Sequence, residues 1–276
     1  MRQRSVIRRK IAPTRGVLRA SVADPDRTRH VRYHPSADLA QYIEHYWSVS
    51  WDFRGVAPER VEILPHPSVH LIFQRHVGAR IRGVTRGKFS GLLDGEGGIL
   101  GVKFTPGGFY PFSRAPVSTL TDTTVDIHDV FGDGGVAVAR AVLGRRTDAS
   151  RIALVETFLR RCAPERDDSA VRMAELVYAV AQDRSILKVE DLAARSGMNK
   201  RTLERRFAKY VGVSPKWVIQ RYRLHEAAEQ LAAVGAIEQS ALALRLGYSD
   251  QAHFIRDFKA IVGISPAAYA RRAVHR

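Results

Sequence analysis

Arg201, Glu204 and Arg205 lie within the stretch Asn199-Lys-Arg-Thr-Leu-Glu-Arg-Arg206. On a helix, spacings of three and four place these side chains on one face. That is a chemistry for reading nucleic acid. Arginine pairs bidentately with guanine in a major groove, and glutamate accepts from cytosine N4. A second stretch, Asp250-Gln-Ala-His-Phe-Ile-Arg256, follows at an offset of 51 residues. Its Gln251, Ala252, His253 and Arg256 offer an amide, a methyl, an imidazole and a guanidinium to base edges. Arg206, Lys209, Lys216 and Arg221 read as phosphate contacts or solvated charges, because basic side chains that miss the bases usually meet the backbone.

The patterns that would indicate catalysis or a metal are incomplete. The pairs His30/His34 and His66/His70 each place two imidazoles four residues apart. Neither has a third ligand at motif spacing, so structural or rim histidines are expected and no metal is. His225-Glu226 lacks the second histidine of a zinc protease motif, and Gly95-Glu-Gly-Gly-Ile-Leu-Gly101 lacks the Lys-Ser/Thr of a phosphate loop. Cys162 has no neighbouring base and reads as the end of an apolar helix. No cofactor is expected. Trp47, Trp51 and Phe53 alternate onto one face of a strand, as core packing or as a cavity wall.

These residues need elements to hold them. The chain has 276 residues, 44 Lys and Arg, 28 Asp and Glu, and a formal charge of +16. Residues 1–20 hold seven basic residues and no acid, residues 21–168 are near neutral at 19 against 18, and residues 169–276 hold 18 against 10. Basic ends around a neutral body suit a polyanion partner met by one part of the chain, although a uniformly arginine-rich composition gives the same excess. The one cysteine excludes an intrachain disulfide framework and suggests a reduced, cytoplasmic compartment. No apolar run reaches membrane-spanning length, and the basic N-terminus has no apolar stretch after it.

The expected organisation is α+β in two domains. Residues 1–27 read as a basic flexible arm. Residues 28–165 read as a β-rich sandwich or barrel with following helices, from short runs such as His45–Trp51, Val69–Phe73 and Ile99–Phe104 broken by Gly and Pro. Ile152, Val155, Phe158 and Leu159 keep helical spacing. The polar break Ala163–Ser169 sets the boundary, and residues 169–276 read as all helical.

That last third contains an internal repeat. Leu203 corresponds to Phe254, Phe207 to Phe258, Arg205 to Arg256 and Pro215 to Pro266. In each copy a short helix and a glycine-containing turn lead to an N-cap, Asn199 or Asp250, and then to a second helix. Leu203, Phe207 and Tyr210 face inward in the first copy, and Phe254, Phe258 and Ile261 in the second. Gly212 and Gly263 end these helices, and Ser214-Pro215 and Ser265-Pro266 start the next. The helix from Pro215 runs to about Ala233.

On these residues the chain resembles the AraC/XylS family of bacterial transcriptional regulators. The resemblance covers residues 171–272, and Ala243 to Tyr269 is very similar to the family signature. It implies seven helices carrying two helix-turn-helix units, with recognition helices in successive major grooves of double-stranded DNA. It implies base-facing roles for Arg201, Glu204 and Arg205, and for Gln251, Ala252, His253 and Arg256. Asn199, Lys200 and Lys216 join them in the expected interface. The N-terminal region is similar to a cupin-like sensor domain, which adds a small-molecule effector, a second copy of the chain and RNA polymerase as further partners. Two alternatives are an architectural protein without sequence preference and a DNA-repair alkyltransferase-like enzyme. The latter needs an activated cysteine beside metal ligands, which one cysteine does not supply.

Two readers one helical turn apart should protect about 20 bp on one DNA face, with contact centres about 34 Å apart. Footprinting the operator checks this, and protection confined to a half-turn would contradict two readers.

Overall fold

The computed structural model describes residues 26–162, 166–234 and 238–274. The expected arm, apart from its last two residues, and residues 163–165 of the Ala163–Ser169 break lie outside them.

The first half is built on eight strands: β1 (Thr28–Tyr33), β2 (Ile43–Asp52), β3 (Glu59–Ile63), β4 (His70–Gln74), β5 (Gly78–Arg82), β6 (Phe89–Leu93), β7 (Glu96–Phe104) and β8 (Thr124–Asp126). Six of them form one sheet in the order β1-β2-β7-β4-β5-β8, and β3 pairs with β6 in a second sheet. All pairings are antiparallel. Alternation decides the two faces of the large sheet. Tyr46, Leu71, Phe73, Ile81, Leu100, Val102 and Phe104 form its buried side. Helices α2 (Ile127–Leu143) and α3 (Asp148–Cys162) cover that side with Val138, Val142, Ile152, Val155 and Leu159. A short helix α1 (Tyr110–Ser113) and a 3-10 turn (Val117–Leu120) precede them.

Of the two histidine pairs, His66 and His70 separate in the fold. His66 lies in the loop before β4, and its ring stacks on His225 with centroids 4.5 Å apart. His70 is the first residue of β4, and its Nδ1 accepts from Trp47 Nε1 at 3.2 Å. His34 lies just beyond the end of β1. Cys162 ends α3, and burial raises its thiol pKa.

The second half has seven α-helices among the described residues: α4 (Asp168–Gln182), α5 (Val189–Ser196), α6 (Lys200–Arg206), α7 (Pro215–Val234), α8 (Gln239–Arg245), α9 (Gln251–Val262) and α10 (Pro266–Val274). A π-turn, Phe207–Val211, extends α6. None of these helices is long and apolar enough to cross a membrane. The helices enclose two cores. Leu192, Leu203, Phe207, Val218 and Ile219 belong to the first, and Leu224, Leu231, Leu242, Phe254 and Phe258 to the second. Each core also takes one aliphatic side chain from the β-rich half: Val84 enters the first and Leu64 the second, both 0 % exposed. Polar contacts run alongside. Thr121 Oγ1 donates to the Gly212 carbonyl at 2.6 Å, and the Tyr178 hydroxyl donates to Glu44 at 3.3 Å.

Two sequence expectations change here. Arg221 is neither solvated nor available to a phosphate. It is 1 % exposed, its guanidinium lies 4.5 Å over the Trp217 ring, and it donates to the Arg86 carbonyl. In α9 the inward position after Phe258 belongs to Val262, while Ile261 is only partly buried. A spacing of four from Phe258 follows the stripe more closely than a spacing of three as α9 turns along its core.

His45 and His225 are both buried, and loss of hydration holds both imidazoles below the usual histidine pKa. In the unfolded chain each titrates near 6.5. Below that pH the unfolded state binds protons that the native state refuses, so stability present above about pH 6.5 is lost as the pH falls. Each group contributes a slope of up to about 1.4 kcal/mol per pH unit. Urea unfolding at pH 7.5, 6.5 and 5.5 should show this decline, and His225→Asn should flatten it; a stability that rises on acidification contradicts it.

Candidate nucleic-acid interface

The first reading helix is fixed at both ends by local chemistry. Asn199 has extended backbone, and its Oδ1 accepts from Thr202 N at 2.9 Å, which satisfies one of the helix's unpaired N–H groups. At the other end Gly212 has φ 92°, and its N–H closes the π-turn on the Phe207 carbonyl at 2.9 Å. A side chain there would meet both the left-handed backbone and Val117. Between these ends Leu203 and Phe207 are 0 % exposed. The opposite face therefore points outward: Arg201, Glu204 and Arg205 are exposed and make no hydrogen bond or ion pair among the described residues.

The second reader repeats the plan. Asp250 Oδ1 accepts from His253 N at 2.7 Å, and Gly263 ends α9 at φ 89°. Phe254 and Phe258 are buried, and Gln251, Ala252 and Arg256 are exposed. His253 is less free than its neighbours. Its Nε2 lies 3.5 Å from Asp257, and its ring meets Tyr248 edge-on at 5.2 Å. The structure thus places the sequence-derived residues on two exposed helix faces, one in each unit. Lys200 is exposed at the start of α6, with its Nζ 3.2 Å from Glu190, and Lys216 is exposed in the first turn of α7.

Between the two units lies a cleft of about 320 Å³. Lys188, Glu190 and Lys200 line it from the first unit, Lys216 from α7, and Tyr248 and His253 from the second. Its three lysines against one glutamate make it positive. Lys188 belongs to no motif, because its place on the cleft depends on how the two units are packed. The buried Tyr248 hydroxyl, which has no hydrogen-bond partner among the described residues, also escapes a sequence reading. Nearby, Ser214 and Ser265 cap α7 and α10 through Trp217 N at 3.2 Å and Ala268 N at 3.3 Å, as the Ser-Pro pairs predict.

Two linked helix-turn-helix units with exposed polar faces define a DNA-binding regulator, and known proteins agree. Residues 192–272 match the model of a helix-turn-helix domain, and residues 31–126 match a domain of unknown function (DUF6597). The chain is 37 % identical over 94 residues to the HTH-type transcriptional activator AarP of Providencia stuartii, covering 34 % of this chain and 69 % of that protein. It is 32 % identical over 98 residues to an HTH-type transcriptional regulator of Haemophilus influenzae, covering 35 % of this chain and 32 % of the relative. Among solved structures it is similar to the DNA-binding domain of AdpA in complex with a target DNA, at 31 % identity, with 37 % of this chain and 93 % of that one covered and a TM-score of 0.33. The chain belongs to the AraC/XylS family of transcriptional regulators. It is a sequence-specific DNA-binding regulator.

Removing the first cap should loosen α6 without touching its reading face. Asn199→Ala should destabilise the chain by about 1 kcal/mol, and Asn199→Ser by only a few tenths. Chemical denaturation of the two variants checks this, and equal losses would mean that the side-chain cap contributes little.

Proposed function

We propose that Arg201, Glu204 and Arg205 of α6 and Gln251, Ala252, His253 and Arg256 of α9 face the bases of one DNA duplex. Asn199, Lys200 and Lys216 then hold the backbone between them. The observation that carries this reading is the pair of capped helices with buried aromatic or leucine stripes and exposed, unpaired arginines on the opposite face. The first helix offers two guanidiniums and a carboxylate, so it carries the stronger base discrimination. The second offers one guanidinium, and its imidazole leans on Asp257.

In this reading residues 169–276 form the DNA-binding domain and residues 28–165 sense a small molecule or mediate self-association. A second copy of the chain and RNA polymerase are the further partners. An effector acts only through different affinities for two states of the protein. Leu64 and Val84 support such coupling, because a shift in the β-rich half would disturb both helical cores. The enzymatic alternative is disfavoured by Cys162: its thiol pKa is raised by burial, the reverse of an activated nucleophile.

Arg205→Ala should cost about 1–3 kcal/mol of operator affinity and relax specificity at one base position. Lys216→Ala should weaken operator and scrambled duplex alike and lower the salt slope by about one unit. Binding titrations at several salt concentrations separate the two. An equal loss on both duplexes for Arg205→Ala would make that residue a phosphate anchor and would favour an architectural protein.

A further inference from the structure

One short segment of the β-rich half reaches both helical units. Residues 83–88 join β5 to β6. Val84 belongs to the first helical core, together with Leu203 and Phe207. Two residues on, the Arg86 carbonyl accepts from Arg221 of α7. Two further on, the Lys88 ammonium lies against Gly263, where an added Cβ would fall 2.9 Å from its Nζ. Gly263 stops α9, so this charge stands at the negative end of the second reader. Between Val84 and Lys88 the segment therefore meets the first unit, the shared helix and the second unit in turn.

The segment is itself held on both sides. The Asp122 carboxylate accepts from the Arg86 N–H at 2.7 Å and from Arg86 Nε at 2.6 Å, and the Asp122 N–H donates to the Val84 carbonyl at 2.9 Å. Asp122 takes φ 58°, a left-handed conformation that aspartate adopts more readily than most residues. Its neighbour Thr121 donates to the Gly212 carbonyl, at the stop of the first reader. On the other side Lys88 pairs with Glu62 of β3 at 2.8 Å. β3 leads directly into Leu64, which enters the second core. Each reading helix is thus met at its C-terminal stop by a side chain of the β-rich half, and one strap connects the two contacts.

Burial along α7 sets how far apart the readers stand. Apolar burial is non-directional, so it tolerates small rolls of a unit about that helix. Polar contacts at the readers' far ends resist such rolls, because hydrogen bonds weaken steeply off their preferred geometry. The angle matters to DNA: one base pair added between two half-sites turns one of them by about 35° around the duplex.

We propose that this strap sets the angle between the two readers, and with it the half-site spacing that the protein accepts. Lys88 and Thr121 are positioning residues that act through α9 and α6, and neither is among the residues assigned to DNA. The strap's role rests on the two-reader function proposed above.

The test uses the full chain. Selection from a random duplex pool returns the two half-sites and their separation. The selected duplex is remade with one base pair added or removed between the half-sites, and affinities are compared at constant salt. Wild type should lose about tenfold or more on either respaced duplex, since a displaced half-site forfeits at least one base contact. In Lys88→Met and Thr121→Val, shown to be folded by melting curves, the penalty should shrink to about threefold or less. Lys88→Arg, which keeps the charge, should retain the wild-type penalty. A ratio of two affinities is blind to a uniform loss, so neither a phosphate contact by Lys88 nor a general loss of stability moves it. An unchanged penalty in either folded variant overturns the role of that residue, and in both it overturns the strap while leaving the two readers in place. A wild type indifferent to spacing overturns the strap as well. Selection of a single half-site removes the two-reader function, and the strap's role with it.

Discussion

Helix α7 is shared by both helical cores, and the placement of the two readers depends on that sharing. Val218 and Ile219 near its start pack into the first core, and Leu224, Ala227, Ala228 and Leu231 pack into the second. Each large apolar side chain buried in this way contributes about 1.5–3 kcal/mol. A helix of 20 residues is about 30 Å long, close to the repeat of B-DNA. Neither unit can turn relative to the other without exposing one end of this stripe. The rigidity that two-groove recognition needs therefore comes from ordinary apolar burial along one continuous helix.

The polar residues of the same helix tie it to its surroundings. Arg223 is 3 % exposed, yet it donates to the Val180 carbonyl at 2.7 Å and the Asp183 carbonyl at 3.1 Å, and pairs with Glu226 at 2.7 Å. These bonds satisfy the end of α4, whose last carbonyls have no partner within their own helix. Arg221 does the corresponding work toward the β-rich half through the Arg86 carbonyl. A buried guanidinium without acceptors would be very costly, so these bonds fix where the neighbouring segments must lie. Leu64 and Val84 join the halves in the apolar sense, completing cores that the helices alone leave open.

The two readers share a frame but not a chemistry. In α6 the outward residues are free to meet a partner. In α9 part of the face is already engaged, with His253 held between Asp257 and the Tyr248 ring. The ends also differ. α6 passes into a π-turn where Gly212 meets Thr121 and Val117, whereas α9 runs as a regular helix to Gly263. The β-rich half thus holds the end of the first reader by a hydrogen bond and meets that of the second through the Lys88 charge, which makes the two units unequal in their access to any signal from that half.

The amino-acid sequence by itself determined the parts whose interactions lie within a few residues. The caps at Asn199, Asp250, Ser214 and Ser265, the stops at Gly212 and Gly263 and the stripe Leu203, Phe207 and Tyr210 are local, because helix geometry joins only neighbours three and four apart. The 51-residue repeat made them doubly legible. The tertiary structure alone decided what depends on packing between distant segments. It put Arg221 inside, chose Val262 over Ile261, separated His66 from His70 and drove Leu64 and Val84 into the helical cores. Cross-strand neighbours such as Lys103, His70 and Arg82 are unrelated in sequence, because a strand's partner is set by register and by which face is buried. The cleft that collects Lys188, Lys200 and Lys216 likewise exists only once α7 has brought the two units together.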